Sequence, residues 1–165
     1  MSQNIILTHE EIERKIQRIA YQICESFEAD QKIIIAGISK NGYIMAEKLI
    51  EKLHQISDSE CVLCEVKIDK QNPQNEITTS ISEETYRNQG LVLVDDVLNS
   101  GTTLIYAVRH FLNVPLKKFK TAVLVDRNHK KYPVKADFKG ISLSTTLQEH
   151  VQVVFDQNGD YAYLV

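Results

Sequence analysis

The chain contains 165 residues, of which 43% are hydrophobic and 25% charged, and its formal net charge is −3. This composition is typical of one soluble globular domain and argues against a protein that coats nucleic acid nonspecifically. No apolar run approaches the length that crosses a bilayer, and the N-terminal segment carries acids where a signal peptide would be basic and then apolar. We therefore expect a single cytoplasmic domain, residues 1–165, with no membrane partner.

The first part of the chain predicts a helix followed by a β-loop-α unit. Thr8 and Glu11 have the spacing of a capping box, and apolar residues at helical intervals follow to about residue 29. Residues 32–36 are predicted to form the first buried strand and residues 37–42 a tight loop with a glycine at each end. A second helix is expected at residues 43–53.

Buried strands and a helix alternate in the next part of the chain. Further strands are predicted at residues 61–68, 91–94 and 119–125, with a helix at residues 104–112. The intervening residues 69–90 are polar, which indicates a flexible excursion or a weak hairpin outside the core.

The chain ends in a predicted antiparallel hairpin. Asn158 and Gly159 lie between two runs of strand-forming residues, 151–155 and 161–165. Together the elements predict an α/β fold with a mostly parallel central sheet flanked by helices. Ligands of such folds bind at the carboxyl ends of the strands.

The most informative stretch is residues 91–103. A buried strand ends there in Asp95 and Asp96, and a loop of small residues opens the next helix. The loop consists of Asn99, Ser100, Gly101, Thr102 and Thr103. Backbone N–H groups of such a loop, at the positive end of a helix dipole, bind phosphate, and neighbouring carboxylates accept hydrogen bonds from sugar hydroxyls. The sequence therefore predicts a site for a phosphorylated sugar.

Residues 92–103 resemble the phosphoribosyl pyrophosphate (PRPP) signature of type I phosphoribosyltransferases. Residues 37–42 and 124–140 are similar to the branch of that family that contains the pyrimidine-operon regulators and uracil phosphoribosyltransferases. The resemblance implies the type I phosphoribosyltransferase fold with a small flexible hood at about residues 69–90. It also implies that PRPP, with Mg²⁺ as cofactor, donates its phosphoribosyl group to a nucleobase, with uracil as the expected base, in pyrimidine salvage by a homodimer or higher homo-oligomer.

The resemblance also implies roles for the residues that contact PRPP. Asp95 and Asp96 would bind the ribose hydroxyls near the magnesium, and the phosphate loop (residues 99–103) would hold the 5′-phosphate. The pyrophosphate would lie in the first loop, where Lys40 is the only cation and is a third catalytic candidate. The pyrophosphate-binding candidates are Ser39, Lys40, Asn41 and Gly42.

Base recognition is assigned to the end of the fourth strand and to the chain after it. By resemblance, Asp126 and Arg127 lie beside the ribosyl and base pocket, and backbone groups of the base segment (residues 144–151) recognise the base. Asn99 stands where oxopurine phosphoribosyltransferases carry an Asp, which disfavours a purine. The hood would supply a basic residue to the pyrophosphate, and its candidates are Lys67, Lys70 and Arg87.

Two alternative functions are kept open. A non-catalytic PRPP or nucleotide sensor that regulates pyrimidine genes would bind RNA, and the first helix retains Arg18 between Gln17 and Tyr21. RNA binding is the less favoured hypothesis. A phosphoacceptor receiver domain also places acids at strand ends, but it has no use for the phosphate loop.

The cysteines and the basic stretch favour structural interpretations. Cys61 and Cys64 form a CxxC pair in an apolar run without a second pair, which favours reduced thiols in or near the core over a metal site. Residues 117–139 contain eight Lys or Arg against two Asp, and a solvated surface is the favoured interpretation.

Overall fold

The computed structural model describes residues 3–165, so the first two residues of the predicted domain lie outside it. In chain order the elements are β1 (Asn4–Leu7), α1 (His9–Ser26), β2 (Ile33–Ile38), α2 (Ser39–Ile56), β3 (Cys61–Lys67), β4 (Thr78–Thr79), α3 (Glu83–Tyr86), β5 (Gly90–Leu98), α4 (Thr102–Phe111), β6 (Lys118–Asp126), β7 (Phe138–Ser142), β8 (Val151–Val154) and β9 (Tyr161–Leu164).

These elements form two sheets. The central sheet has the order β4-β3-β2-β5-β6-β7, and every pairing in it is parallel except that of β4 with β3. The second sheet is antiparallel, with the order β1-β9-β8. The predicted mostly parallel sheet and the C-terminal hairpin are therefore confirmed.

The central strands are buried on both faces, which explains their nearly continuous apolar sequences. In β5, Val92 and Val94 pack in the cluster that contains α1 and α2, whereas Leu91 and Leu93 pack in the cluster that contains α4 and the end of α3. This alternation places successive residues of β5 on opposite sides of the sheet. Residues at the end of the strand consequently project toward different neighbours.

The start of α1 follows the predicted capping box. The Thr8 hydroxyl accepts the Glu11 N–H, and the Glu11 carboxylate accepts the Thr8 N–H. The strand before it, β1, was not predicted from the sequence. It has only four residues, and its stability comes from pairing with β9 at the other end of the chain. The residues of β1 contain no pattern that predicts pairing with a strand so far along the chain.

The prediction of a tight loop at residues 37–42 is wrong. Gly37 lies in β2 and α2 begins at Ser39, so strand and helix meet with no intervening loop. A Cβ on Gly37 would lie 2.5 Å from the Gly42 carbonyl oxygen, and a Cβ on Gly42 would lie 2.7 Å from that of Val94. The two glycines therefore allow three backbone segments to meet in van der Waals contact beside the end of β5.

The hood is partly ordered against the core. It contains β4 and α3, and the Tyr86 ring is fully buried, packed edge-on against Phe111 at 5.1 Å between ring centroids. The prediction that this segment lies outside the core is therefore wrong for Tyr86, a single aromatic residue in a polar stretch. Within residues 3–165, no helix has the length and apolarity needed to cross a membrane.

Gly42→Ala is expected to destabilise the protein by about 1–3 kcal/mol, because the added methyl group overpacks a contact made by backbone atoms. Helix propensity alone predicts the opposite sign, since alanine is the better helix former. Urea denaturation of the two proteins measures the difference. Glu47→Ala, at an exposed position of the same helix, is the control and should change stability by less than about 0.5 kcal/mol. An unchanged or raised urea midpoint in Gly42→Ala would contradict the close approach.

Candidate active site

The candidate site lies where β5 extends beyond its neighbour. Pairing of β5 with β2 ends at Gly37 and Val94, whereas pairing with β6 continues to Leu98 and Asp126. Asp95 and Asp96 follow directly after the last pair with β2. They therefore lie where β5 is paired on the β6 side only.

The two acids have different environments, as the alternation along β5 requires. Asp95 is 4% exposed, its Oδ1 accepts the Asp96 N–H at 2.9 Å, and the Lys70 Nζ lies 3.9 Å from the same oxygen. Asp96 is half-buried, and its Oδ2 accepts the side-chain amide of Asn41 at 2.9 Å. Asp96 consequently faces α2, and Asp95 faces the hood.

The pKa of Asp95 is raised well above its ordinary value. Burial is the largest cause, followed by the charge of Asp96, and Lys70 opposes both. The ligand-free site therefore disfavours two ionised carboxylates side by side. A bound cation or hydroxyl groups that donate to both acids would relieve this cost.

The phosphate loop joins β5 to α4. Gly101 has φ +86°, and a Cβ there would lie 2.6 Å from Val134 Cγ1, so no other residue fits without strain. The Ser100 hydroxyl lies 2.8 Å from that of Thr102 and accepts the Thr102 N–H at 3.3 Å, whereas the N-cap residue, Gly101, has no side chain that could cap the other N–H groups of the first turn. The N–H groups that open this helix are therefore positioned for an anion.

The acids and the phosphate loop line one cavity of about 210 Å³. Lys70 from the hood, Val123 from β6 and Val151 from β8 complete it. All five residues of the phosphate loop contribute to the lining, together with Asp95 and Asp96. The cavity thus brings together the two carboxylates and the five residues of the loop, while their roles in binding a sugar and a phosphate stay predictions.

The four pyrophosphate-binding candidates, residues 39–42, lie in different surroundings. Asn41 bridges the site, since its Nδ2 donates both to Asp96 Oδ2 and to the Val153 carbonyl oxygen at 3.0 Å. Ser39 has φ +41°, an uncommon value for a residue other than glycine. Lys40 is exposed, and none of the four pyrophosphate-binding candidates, Asn41 included, lines the cavity.

Of the three basic candidates in or near the hood, only Lys70 reaches the acids. Arg87 pairs with Glu84 at 3.3 Å, and Lys67 lies at an exposed end of β3. Lys70 follows β3 by a few residues in a polar segment, so its sequence context does not single it out.

Asp126 and Arg127 are buried beside the site and do not line its cavity. Asp126 is 1% exposed, with Lys130 Nζ at 3.5 Å and Lys139 Nζ at 3.8 Å. The Arg127 guanidinium donates to Asn99 Oδ1 at 2.8 Å and to groups of the base segment. Direct contact of these two residues with the ribose or base stays a prediction. The structure shows the ion pairs of Asp126 and the hydrogen bonds of Arg127 within the protein.

Much of the polar backbone of the base segment is already bonded. The carbonyl oxygen of Thr145 lies 2.6 Å from His129 Nε2, which must be the protonated ring nitrogen because a carbonyl only accepts. Arg127 donates to the carbonyl oxygens of Thr146 and Glu149. These three carbonyl groups therefore already accept hydrogen bonds. Fewer backbone groups of the base segment remain to bind a base.

Comparisons with known proteins concern the family and the fold. The family profile of the phosphoribosyl transferase domain matches residues 2–157. The bifunctional protein PyrR of Macrococcus caseolyticus is 31% identical, with 97% of this chain and 96% of that protein covered. PyrR of Staphylococcus aureus is also 31% identical, over 95% and 94% of the two chains.

Solved structures share the fold at lower identity. A hypoxanthine-guanine phosphoribosyltransferase of Bacillus anthracis has a TM-score of 0.78 at 18% identity, with 98% of this chain and 96% of that chain covered. The hypoxanthine phosphoribosyltransferase of Trypanosoma cruzi has a TM-score of 0.78 at 17% identity, over 99% and 96% of the two chains. At such identities the likeness concerns the architecture alone.

Asp95→Asn is expected to stabilise the ligand-free protein at neutral pH, because it removes a buried charge and its repulsion from Asp96. Since the folded pKa exceeds the unfolded value of about 3.9, Asp95 costs stability as pH rises from there through the folded pKa. The gain of the variant should therefore grow with pH and reach at least about 1 kcal/mol, or roughly 2–4 °C in Tm. Thermal unfolding across a pH series measures it.

Asp58→Asn, at an exposed position, is the matched control for the loss of one carboxylate. It should leave the pH dependence of Tm unchanged. An Asp95→Asn curve that runs parallel to the wild-type curve at all pH values would show that the pKa of Asp95 is not raised.

Proposed function

This chain belongs to the phosphoribosyltransferase family, and we propose that it binds PRPP together with Mg²⁺ and transfers the phosphoribosyl group to uracil. The predicted fold class, the family and the likeness to the pyrimidine-regulator branch are confirmed. The receiver-domain hypothesis is abandoned. We propose in addition the identity of the base, the participation of Mg²⁺ and the roles of single residues.

One observation carries it: two carboxylates and a phosphate loop line the same cavity at the end of β5. The N–H groups at the start of α4 suit the 5′-phosphate, and Asp95 and Asp96 suit the ribose hydroxyls of the same molecule. The raised pKa of Asp95 supports this assignment, since perturbed carboxyls cluster at sites that bind charge.

The donor set fits Mg²⁺ as an ion shared with the substrate. Carboxylate oxygens are the ligands that Mg²⁺ prefers, and it is usually held by one or two carboxylates together with substrate phosphates. In the part of the chain that the structure describes, no cluster of three or more His, Cys, Asp or Glu forms a complete metal site. Asp95 and Asp96 would hold the ion indirectly, through the bound substrate, and the ion would neutralise the charge of the departing pyrophosphate.

The chain contributes mainly by positioning and electrostatics. The base nitrogen forms a bond to C1 of the ribose while the bond from C1 to the pyrophosphate oxygen breaks. Asn41 fixes Asp96 through a 2.9 Å hydrogen bond, so that this carboxylate is oriented before the sugar arrives. Lys70, beside Asp95 at 3.9 Å, places positive charge at the hood side of the cavity, where the hood would exclude water from the reacting ribosyl group.

Uracil is proposed on two grounds. The relatives from Macrococcus caseolyticus and Staphylococcus aureus carry the name bifunctional protein PyrR. The resemblance of residues 37–42 and 124–140 to the pyrimidine-operon regulators favours a pyrimidine as the base. Asn99 also lacks the carboxylate that would accept a proton from a purine ring. Its side-chain oxygen is already bonded to Arg127.

A second candidate function is a PRPP-sensing regulator that binds RNA without turnover. It is favoured by the exposed Lys40, the only cation of the first loop, which the cavity lining does not include. Against an RNA contact by the first helix, Arg18 Nη2 donates to the carbonyl oxygens of Lys139 and Gly140 at 2.7 and 2.6 Å. Arg18 thereby joins α1 to β7.

Localisation and assembly stay proposals as well. We place the protein in the cytoplasm, where PRPP and nucleobases occur, as a homodimer or higher homo-oligomer. Sedimentation velocity of the purified protein measures the assembly.

PRPP with Mg²⁺ is expected to raise the Tm of the wild-type protein by roughly 5–10 °C at about 100 times Kd, since linkage at that ratio contributes about 2.7 kcal/mol. Asp95→Asn and Asp96→Asn should each weaken PRPP binding about tenfold or more, because a charged hydrogen-bond acceptor is lost. Thermal shift measures both effects, with Asp58→Asn as the control that keeps the wild-type response.

A panel of nucleobases then separates the two functions. Formation of a nucleoside monophosphate and pyrophosphate from uracil and PRPP supports the enzyme. Stabilisation by PRPP without product from any base, together with RNA affinity that falls steeply with salt, supports the sensor. A wild-type protein that PRPP does not stabilise contradicts both.

A further inference from the structure

Arg127 is a buried arginine whose hydrogen bonds all lie within the protein. The residue is 4% exposed and directly follows β6 at the edge of the site. Its Nη1 donates to Asn99 Oδ1 at 2.8 Å and its Nε to Thr145 Oγ1 at 3.0 Å. Its Nη2 donates to the carbonyl oxygens of Thr146, at 3.2 Å, and Glu149. One side chain therefore connects the phosphate loop to the base segment.

Few other contacts fix residues 144–150 of the base segment. These residues form no regular secondary structure and Leu147 is 78% exposed, whereas Val151 begins β8, is buried and pairs with Leu164. It closes on itself through the Thr146 N–H, which donates to Glu149 Oε2 at 2.8 Å, and the Glu149 N–H, which donates to Thr146 Oγ1. This small closed turn is attached to the protein by Arg127, by His129 at the Thr145 carbonyl and by the His150 pairing with Val165.

The link also fixes the orientation of the Asn99 amide. A guanidinium only donates, so the Asn99 oxygen must face Arg127 and its Nδ2 hydrogens are left for a ligand. Asn99 lines the cavity with the rest of the phosphate loop. Any displacement of Asn99 on ligand binding changes the partners of a buried charge, which is costly.

We propose that Arg127 is a positioning residue that couples the phosphate loop to the base segment through Asn99, so that PRPP bound in the loop orders the segment that faces the base. The coupling deepens the proposed function and rests on it for the identity of the ligand. The hydrogen bonds that join Asn99, Arg127 and the base segment are present without a ligand. It makes the second substrate bind to a segment that the first has already ordered.

Two variants of Asn99 form a matched pair for the test. Asn99→Ala removes the acceptor of Arg127, whereas Asn99→Asp keeps an oxygen for it and adds an opposite charge. Amide hydrogen exchange of the full-length protein, followed by mass spectrometry, reports residues 99–104 and 144–151 separately. Equal Tm values of the variants show that the comparison concerns local order.

In the ligand-free protein we expect exchange in residues 144–151 to rise about tenfold in Asn99→Ala and to stay near the wild-type rate in Asn99→Asp. In wild-type protein, PRPP with Mg²⁺ should slow exchange in both regions. In Asn99→Ala, at PRPP concentrations that protect residues 99–104 equally, the slowing in residues 144–151 should be lost.

The failures are distinguishable. If PRPP protects neither region of the wild-type protein, the proposed function fails, and the ligand-free comparison still decides the link. If Asn99→Ala leaves exchange in residues 144–151 at the wild-type rate with and without PRPP, the coupling through Arg127 is overturned. A rise of equal size in Asn99→Asp also overturns it, because that variant retains the contact.

Discussion

The carboxyl group of Asp95 is buried near the end of β5 with a second carboxyl beside it, and this pairing is unfavourable in the ligand-free protein. The surrounding structure maintains it. Gly37 and Gly42 bring β2 and α2 against the end of β5, and the hood places Lys70 near Asp95. Stability is given up at the point where the substrate is expected, as is common for sites that are organised before binding.

The alternation of side chains along β5 explains how two adjacent acids serve one cavity. Successive residues of the strand pack in different clusters, so Asp95 and Asp96 find different partners. Asp96 is fixed by Asn41 from α2, whereas Asp95 lies 3.9 Å from the Nζ of Lys70 in the hood. One acid is thus held by a rigid helix, and the other responds to the position of a side chain from a loop.

The sequence predicted that the acids and the phosphate loop lie close together, because they are contiguous along the chain, although β5 continues through both acids to Leu98. A buried strand that ends in two acids, followed by small residues and a helix, leaves few alternatives. Contacts between distant residues were not predictable. Nothing near Lys70 identifies it as the partner of Asp95, and nothing near Arg127 shows that its guanidinium joins Asn99 to Thr145. The burial of Tyr86 and the pairing of β1 likewise depend on residues far along the chain.

The small sheet has a consequence for synthesis on the ribosome. Asn41 donates one hydrogen bond to Asp96 and another to the carbonyl oxygen of Val153 in β8, and β8 pairs with β9, which in turn pairs with β1. Since β9 is translated after every other described element, β1 stays unpaired until β9 has been synthesised, and the small sheet beside Asp96 is completed only then. A nascent chain that lacks β9 therefore exposes an apolar strand edge and an incomplete pocket at the same time, and the pairing of β9 completes both.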